Sequence, residues 1–353
     1  MAERFEELLL TVLKENASDL HLTAGRRPTI RVAGNLVELT QHPTLTPAAV
    51  EDLIWTILSP EQQERFPKDR ELDFSYAFKD KARFRVNIFY QRGFIGGAFR
   101  HIPTKIRDFT ELNLPPIIAE FCERQQGFLL IVGPTGHGKT TTLAAMVDHI
   151  NRTRAEHIIT VEDPIEYLFT PDRAIVDQRE VGSDTRSFHR ALRSMFREDV
   201  DVAMIGEMRD PETIATAVTA AETGHLVLSS LHTNNAAQTI DRIIDSFPAY
   251  QQAQIRAQLA STLVAIVSQR LIPRVAGGLI PAVEVLIGTP AVRTLIREGK
   301  GHELDLVIET SSDVGMVSLN RSLVDLVRRG EITMEQAASY SLNTDEFRML
   351  LQG

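Results

Sequence analysis

Cysteine is almost missing from this chain: Cys122 is the only one in 353 residues. That excludes an intrachain disulfide and any four-cysteine zinc site, and it fits a reducing, cytoplasmic setting. Long apolar runs are missing as well. No stretch reaches the roughly 18 residues that mark a membrane-crossing helix, so no direct membrane insertion is expected. Positive charge is in deficit, with 38 Lys and Arg against 47 Asp and Glu and a net charge of −9. Phosphate-backbone binding needs a concentrated positive surface, so the balance argues against a nucleic-acid partner. Aromatic residues make up 6% of the chain, and no segment interleaves them with basic residues as a single-strand binder would. The opening MAERFEELLLTVLKEN lacks a small-residue cleavage site, which argues against a secretory signal. Repeats and low-complexity tracts are absent.

What is present describes an ordinary water-soluble protein, 43% apolar and 24% charged, long enough for two domains. Residues 4–14 have helical spacing, with Phe5, Leu8, Leu9, Val12 and Leu13 on one face. Short alternating segments follow at 19–23, 29–39, 71–78, 83–92 and 93–102. Ala33-Gly34-Asn35 and the KDKA at 79–82 read as hairpin turns, and 47–58 as a helix. This half is an α+β domain over 1–103. The proline-bearing segment 104–116 is the expected linker, and 117–353 the second domain.

From 117 the pattern becomes strand, helix, strand, helix. Apolar runs at 128–132, 157–162, 201–206 and 225–231 predict a parallel sheet covered on both faces, hence an α/β fold. Residues 236–270 and 290–350 read as mainly helical, so the part from about 270 to 353 is expected to be a helical C-terminal region.

The strand at 128–132 runs into Gly133-Pro134-Thr135-Gly136-His137-Gly138-Lys139-Thr140, followed by Thr141. This matches G-x-x-x-x-G-K-[ST] in full, between a strand and a helix as that motif requires. Glycines let backbone N–H groups close on phosphate oxygens, and the helix start adds its positive dipole end. Lys139 is placed to reach the β- and γ-phosphates of ATP, and the Thr140 hydroxyl to ligate Mg²⁺. Hydrolysis needs carboxylates too. DVAMIGEMRD (201–210) is an apolar strand ending in Glu207, a candidate metal-side carboxylate. VEDPIEY (161–167) throws Glu162, Asp163 and Glu166 into a turn at the carboxyl edge of the sheet, where ligands of open α/β sheets bind. A carboxylate there can orient or deprotonate the attacking water. His225 and His232 open and close the strand at 225–231; their spacing matches no zinc motif. His232 is placed to hydrogen-bond a γ-phosphate, the alternative being a histidine satisfied by backbone.

Taken in order, GPTGHGKTTT, ITVEDPIEY, QREVGSDTRSF, GEMRDPETI, AAETGHLVLSSLHT and TIDRIIDSFP resemble the secretion-superfamily ATPases, and within them the type IV pilus retraction ATPases. The likeness extends to SDLHLTAGRRPTIRVAG (18–34) and RFRVNIFYQRG (83–93). It implies a homohexamer whose subunits join a PAS-like N-terminal domain to a RecA-like ATPase domain. It also implies hydrolysis of ATP with Mg²⁺ to power pilus retraction and twitching. The enzyme would sit in the cytoplasm at the inner membrane, held by the pilus platform protein and working with a second retraction ATPase. On the family pattern Glu166 is the catalytic glutamate, with Glu162 the second candidate, and Glu207 belongs to Walker B. Arg83, Arg85 and Arg100 occupy the strands from which arginines complete a neighbour's site in trans. Alternation puts Arg83 and Arg85 on one strand face, which a merely solvated sheet surface would also do.

TPAVRTLIREGK (289–300) resembles a motif of retraction ATPases, departing from it at Val292 and Thr294. Thr289 and Pro290 suit a helix start and Gly299 a stop, so 290–298 is expected to be one short helix. Arg293 and Arg297, one turn apart, are candidates for coupling to the retraction machinery. His137 stands where the family usually carries serine. Assembly and secretion ATPases of the same fold stay open as the alternative, with the absent tetracysteine against them; so does the sister retraction ATPase.

Overall fold

The structure is a computed structural model that describes residues 2–32, 34–79, 81–103 and 105–352. Ala33 of the first expected turn, Asp80 of the second and Thr104 at the start of the expected linker lie outside the described residues, as do positions 1 and 353. The chain divides into two compact units: Met1–Lys105 with Pro164–Leu168, and Ile106–Asp163 with Phe169–Gly353.

In the first unit the strands are β1 Asp19–Leu22, β2 Thr29–Val32, β3 Asn35–Glu38, β4 Glu71–Phe78, β5 Ala82–Gln91 and β6 Phe94–Ile102. They form one antiparallel sheet in the order β3-β2-β1-β6-β5-β4. The amphipathic helix Ala2–Lys14 lays Phe5, Leu8, Leu9 and Val12 into a core shared with Leu20, Phe84 and Phe99. Along β5, Ala82, Phe84, Val86 and Ile88 are buried, and this alternation sets Arg83 and Arg85 on the other face, as expected. The helix expected at 47–58 is Pro47–Trp55, and a second follows at Pro60–Asp69 that periodicity does not reveal. Only Phe66 of that second helix is buried. Its visible signal is the capping box of Ser59 and Gln62 beside Pro60.

The second unit holds β7 Gly127–Val132, β8 His157–Glu162, β9 Ile175–Glu180, β10 Val202–Ile205, β11 Leu226–Leu231, β12 Leu263–Pro273 and β13 Leu279–Ile287. The order is β13-β12-β7-β11-β10-β8-β9. All neighbours are parallel except β12 with β13. Every residue of β7, β10 and β11 is buried, the mark of strands covered on both faces. The helical reading of 236–270 and of the region from about 270 needs correction. Helices Ala236–Asp245 and Ala249–Thr262 lead directly into β12 and β13, and helices resume only at Pro290. A short apolar run such as LVAIVSQRLIP fits a buried strand or a buried helix equally well by period, and its branched residues belong to the strand. The edge strand β9, half exposed, was also hidden from the periodicity.

Candidate functional site

The loop after β7 is shaped by what lies beside it. Gly133 has φ +146°, and a Cβ there would sit 2.4 Å from the Gln269 carbonyl oxygen of β12. No side chain fits at this point. Gly138, in the left-handed region at φ 80°, caps the helix Lys139–Thr153, with Thr140 and Thr141 in its first turn. Lys139 is 7% exposed, and its Nζ donates to the carbonyls of Gly133 and Pro134, both at 2.9 Å. The ammonium is thus curled into the mouth of the loop, a place a phosphate oxygen can take over from the carbonyls. Thr135 and Gly136 form the exposed tip of the loop.

A chain of polar contacts runs from this lysine along the carboxyl edge of the sheet. His232, just beyond β11, has Nδ1 3.3 Å from Lys139 Nζ and 3.3 Å from the Thr135 hydroxyl. Its Nε2 lies 3.4 Å from Glu207 Oε2. Because Lys139 can only donate, Nδ1 is the acceptor and Nε2 carries the proton toward Glu207. Glu207 follows β10 and is also held by Arg209. Asp210 of the same segment caps the helix Pro211–Glu222 by accepting from Thr213 N at 2.8 Å. Lys139, His232 and Glu207 therefore come together at the carboxyl edge of the sheet.

His225 does not join them. It precedes β11 at the other end of the strand, roughly 20 Å away at about 3.3 Å per residue. There its Nδ1 donates to the Ala220 carbonyl at 3.0 Å and its ring meets Phe196 edge-on.

The two glutamates of the VEDPIEY turn have different surroundings. Glu162 ends β8, is 2% exposed, and accepts from the Thr160 hydroxyl at 2.7 Å and from Gln178 Nε2 at 3.3 Å. Asp163 is exposed. Glu166 belongs with the first unit, 3.8 Å from Arg85 Nη1. These two side chains are 44% and 40% exposed, so the pair is worth less than about 1 kcal/mol. Arg85 lies directly across from Arg100 in the β5–β6 register, and Arg83 across from Ile102. Arg100 donates to Asp19 at 3.0 Å, and burial, although it acts the other way, does not prevent that carboxyl from sitting below its ordinary range.

The helix Pro290–Glu298 has the limits the sequence predicted, with Thr289 as cap and Gly299 in the left-handed region at φ 73°. Its two arginines differ. Arg293 donates to the Gly288 and Leu263 carbonyls at 2.9 and 3.3 Å, whereas Arg297 is exposed and donates to the Thr294 hydroxyl of its own helix at 3.2 Å. The pair is therefore one cation anchored on backbone carbonyls and one exposed cation rather than a matched face.

Sequence reasoning missed one part of the site. Gln269 of β12 bonds the Thr142 hydroxyl and the His137 carbonyl, both at 2.8 Å, and Leu271 N donates to His137 Nδ1 at 2.9 Å. Burial, with the nearby charges of Arg270 and Lys139, holds the His137 imidazole below its ordinary range, in keeping with Nδ1 as an acceptor. No motif marks Gln269; only its strand neighbours reveal it.

Residues 2–278 match the model of the family described as "type II/IV secretion system protein". The chain is 46% identical to the type IV pilus retraction ATPase PilT of Pseudomonas aeruginosa, over 94% of this chain and 96% of that one. It is 40% identical to the type IV pilus ATPase PilU of the same organism, over 99% and 91%. A crystal structure of the pilus retraction motor PilT with bound ADP superposes with a TM-score of 0.90 at 45% identity, covering 98% of both chains. With its own strand–loop–lysine geometry in place, the chain belongs to the type II/IV secretion system protein family.

Proposed function

We propose that this protein is an ATP-hydrolysing motor that powers type IV pilus retraction. One observation carries the reading: a buried lysine curled into a complete phosphate-binding loop and continued through His232 to Glu207 at the sheet edge. The likeness to PilT proteins supports the choice of process.

In this reading residues 133–141 hold the phosphates of ATP, and Lys139 leaves the Gly133 and Pro134 carbonyls for the β- and γ-phosphates. Thr140 and Glu207 would hold Mg²⁺, a hydroxyl and a carboxylate that suit a cation keeping waters and phosphate oxygens as its other ligands. When bound, that ion neutralises charge building on the phosphates. Once Lys139 has left the imidazole Nδ1, His232 hydrogen-bonds the γ-phosphate through that nitrogen, the ring proton having moved there from Nε2. Glu166 takes the proton of the water that attacks the γ-phosphorus, as the bond to the β–γ bridging oxygen breaks; Glu162 is the alternative base.

The reading extends to assembly. Six copies form a ring, and Arg83, Arg85 and Arg100 of one copy complete the site of the next. Residues 1–103 are the PAS-like domain, 104–116 the linker and 117–353 the ATPase domain, and nucleotide-dependent rotation about the linker produces force. The partners are the pilus platform protein at the inner membrane and a second retraction ATPase, with no nucleic acid. No helix among the described residues is long and apolar enough to cross a membrane.

Lys139→Ala tests this directly. ATP turnover of the folded variant is expected to fall by about 10²-fold or more, and a retraction-null strain complemented with it should stay piliated without twitching. Wild-type turnover, or turnover stimulated by single-stranded DNA in the parent, would falsify the reading.

A further inference from the structure

Residues 269–271 of β12 run beside the phosphate-binding loop, and their bonds converge on two positions. Gln269 Nε2 donates to the His137 carbonyl and Gln269 Oε1 accepts from the Thr142 hydroxyl, both at 2.8 Å. Two residues on, Leu271 N donates to His137 Nδ1 at 2.9 Å. The backbones fit as closely, since the Gln269 carbonyl occupies the space a Cβ on Gly133 would need. A Cβ on Gly138 would likewise lie 2.8 Å from Gln269 Nε2.

The chemistry of these bonds is specific. A neutral amide donates to a carbonyl and accepts from a hydroxyl at the same time, which neither a carboxylate nor an apolar side chain can do. Gln269 is 2% exposed, so bulk water does not replace either partner. Its two bonds fix the loop at both ends of its tightest turn: His137 before Gly138, and Thr142 in the first turn of the helix. Between them lie the backbone N–H groups that a phosphate must find already pointing inward. A loop held in that shape before binding spends less of the binding energy on ordering itself.

We propose that Gln269 is a positioning residue for nucleotide binding, acting through the His137 carbonyl and the Thr142 hydroxyl to hold the phosphate-binding loop open in its binding shape. His137 adds a second brace through its ring, which accepts from Leu271 N. A serine at this position, usual in the resembled family, ends one bond short of Nδ1. The inference rests on residues 133–140 being the nucleotide loop.

The test pairs Gln269→Met with Thr142→Val in the full-length protein, with Lys139→Ala alongside. Gln269→Met is expected to raise the KM for ATP at least five-fold, with kcat changed by less. Thr142→Val removes the stranded hydroxyl, so the double variant should regain the parent's thermal midpoint while its KM stays raised. A purely structural role predicts that stability and KM recover together. His137→Ser should raise KM by a smaller factor than Gln269→Met. A KM rise below five-fold in the double variant, or a kcat loss larger than the KM change, overturns the role of Gln269. Wild-type turnover in Lys139→Ala overturns the loop assignment beneath it. A dead Lys139→Ala with an unmoved Gln269→Met overturns Gln269 alone.

Discussion

Lys139 Nζ lies 3.3 Å from His232 Nδ1, so a residue after β11 reads the position of the loop lysine. When the lysine moves onto phosphate, the imidazole loses a donor on one side and keeps Glu207 on the other. His232 is therefore expected to matter more once the γ-phosphate is being lost than in ground-state binding. His232→Ala should lower kcat by about 10- to 100-fold and leave the affinity for ADP within about three-fold, a change below 1 kcal/mol. Equilibrium binding of a fluorescent ADP beside steady-state turnover checks both halves. Equal losses in affinity and kcat would show that the histidine only supports the loop.

The glutamates of the VEDPIEY turn are separable by their surroundings. Glu162 is buried and hydrogen-bonded to Thr160 and Gln178, so Glu162→Gln should cost stability, about 1–3 kcal/mol for a disturbed buried network. Glu166 is half exposed beside Arg85, so Glu166→Gln should cost less stability than Glu162→Gln. If Glu166 is the base, that variant binds ATP with the parent's affinity and turns over at least about 10²-fold more slowly. Denaturant titration and single-turnover hydrolysis separate the two effects. A fast Glu166→Gln enzyme with an inactive, stable Glu162→Gln enzyme would move the base to Glu162.

Much of this was legible before any coordinates. The phosphate-binding loop, the strand before it and the helix after it are local, each announced by residues within a few positions of one another. The helix Pro290–Glu298 was legible for the same reason, with its cap, first-turn proline and terminal glycine all in the chain. Hidden from the sequence was whatever depends on neighbours distant in the chain. β12 reads as an apolar run without a period, and its pairing with β7 on one side and β13 on the other makes it a strand. Gln269 sits 132 positions from His137, and no spacing rule links a glutamine to a loop so far away. His225 and His232 look like a pair on paper, yet a strand of six residues carries them to opposite edges of the sheet.

The two arginines of the helix Pro290–Glu298 make separate predictions. Arg293 donates to the carbonyls of Gly288 and Leu263, tying the end of β13 to the start of β12. Arg293→Ala should lower stability by about 2 kcal/mol, the loss of charge-assisted bonds to two carbonyls. Arg297 is exposed and bonds Thr294 of its own helix, so Arg297→Ala should be neutral in stability, within about 0.5 kcal/mol. If the helix couples the ATPase to the retraction machinery, Arg297→Ala keeps its ATP turnover while complemented cells stop twitching. Twitching at the parent's rate with Arg297→Ala would leave the helix a structural element only.

Glu284 gives a pH dependence with a definite sign. It lies on β13 and is 7% exposed, accepting from Ala236 N at 2.8 Å. Burial pushes its carboxyl up from 4.5 to about 7; the Ala236 bond and Arg270 pull it down, and the charges of Asp305 and Glu346 push the same way as burial. Asp305, also raised chiefly by burial, adds like charge as it ionises. A carboxyl raised in the folded state favours the protonated fold. Its contribution is fully present below the unfolded value near 4.5 and is lost as pH rises through about 7. Between about 4.5 and 7 the folded state should lose about 1.4 kcal/mol per pH unit relative to a protein without this group, and above 7 the loss levels off. Glu284→Gln keeps an acceptor for Ala236 N and cannot ionise, so its thermal midpoint should fall less than the parent's as pH rises from about 4.5 to about 7. Parallel curves for parent and variant over that interval would mean that Glu284 is already ionised in the fold.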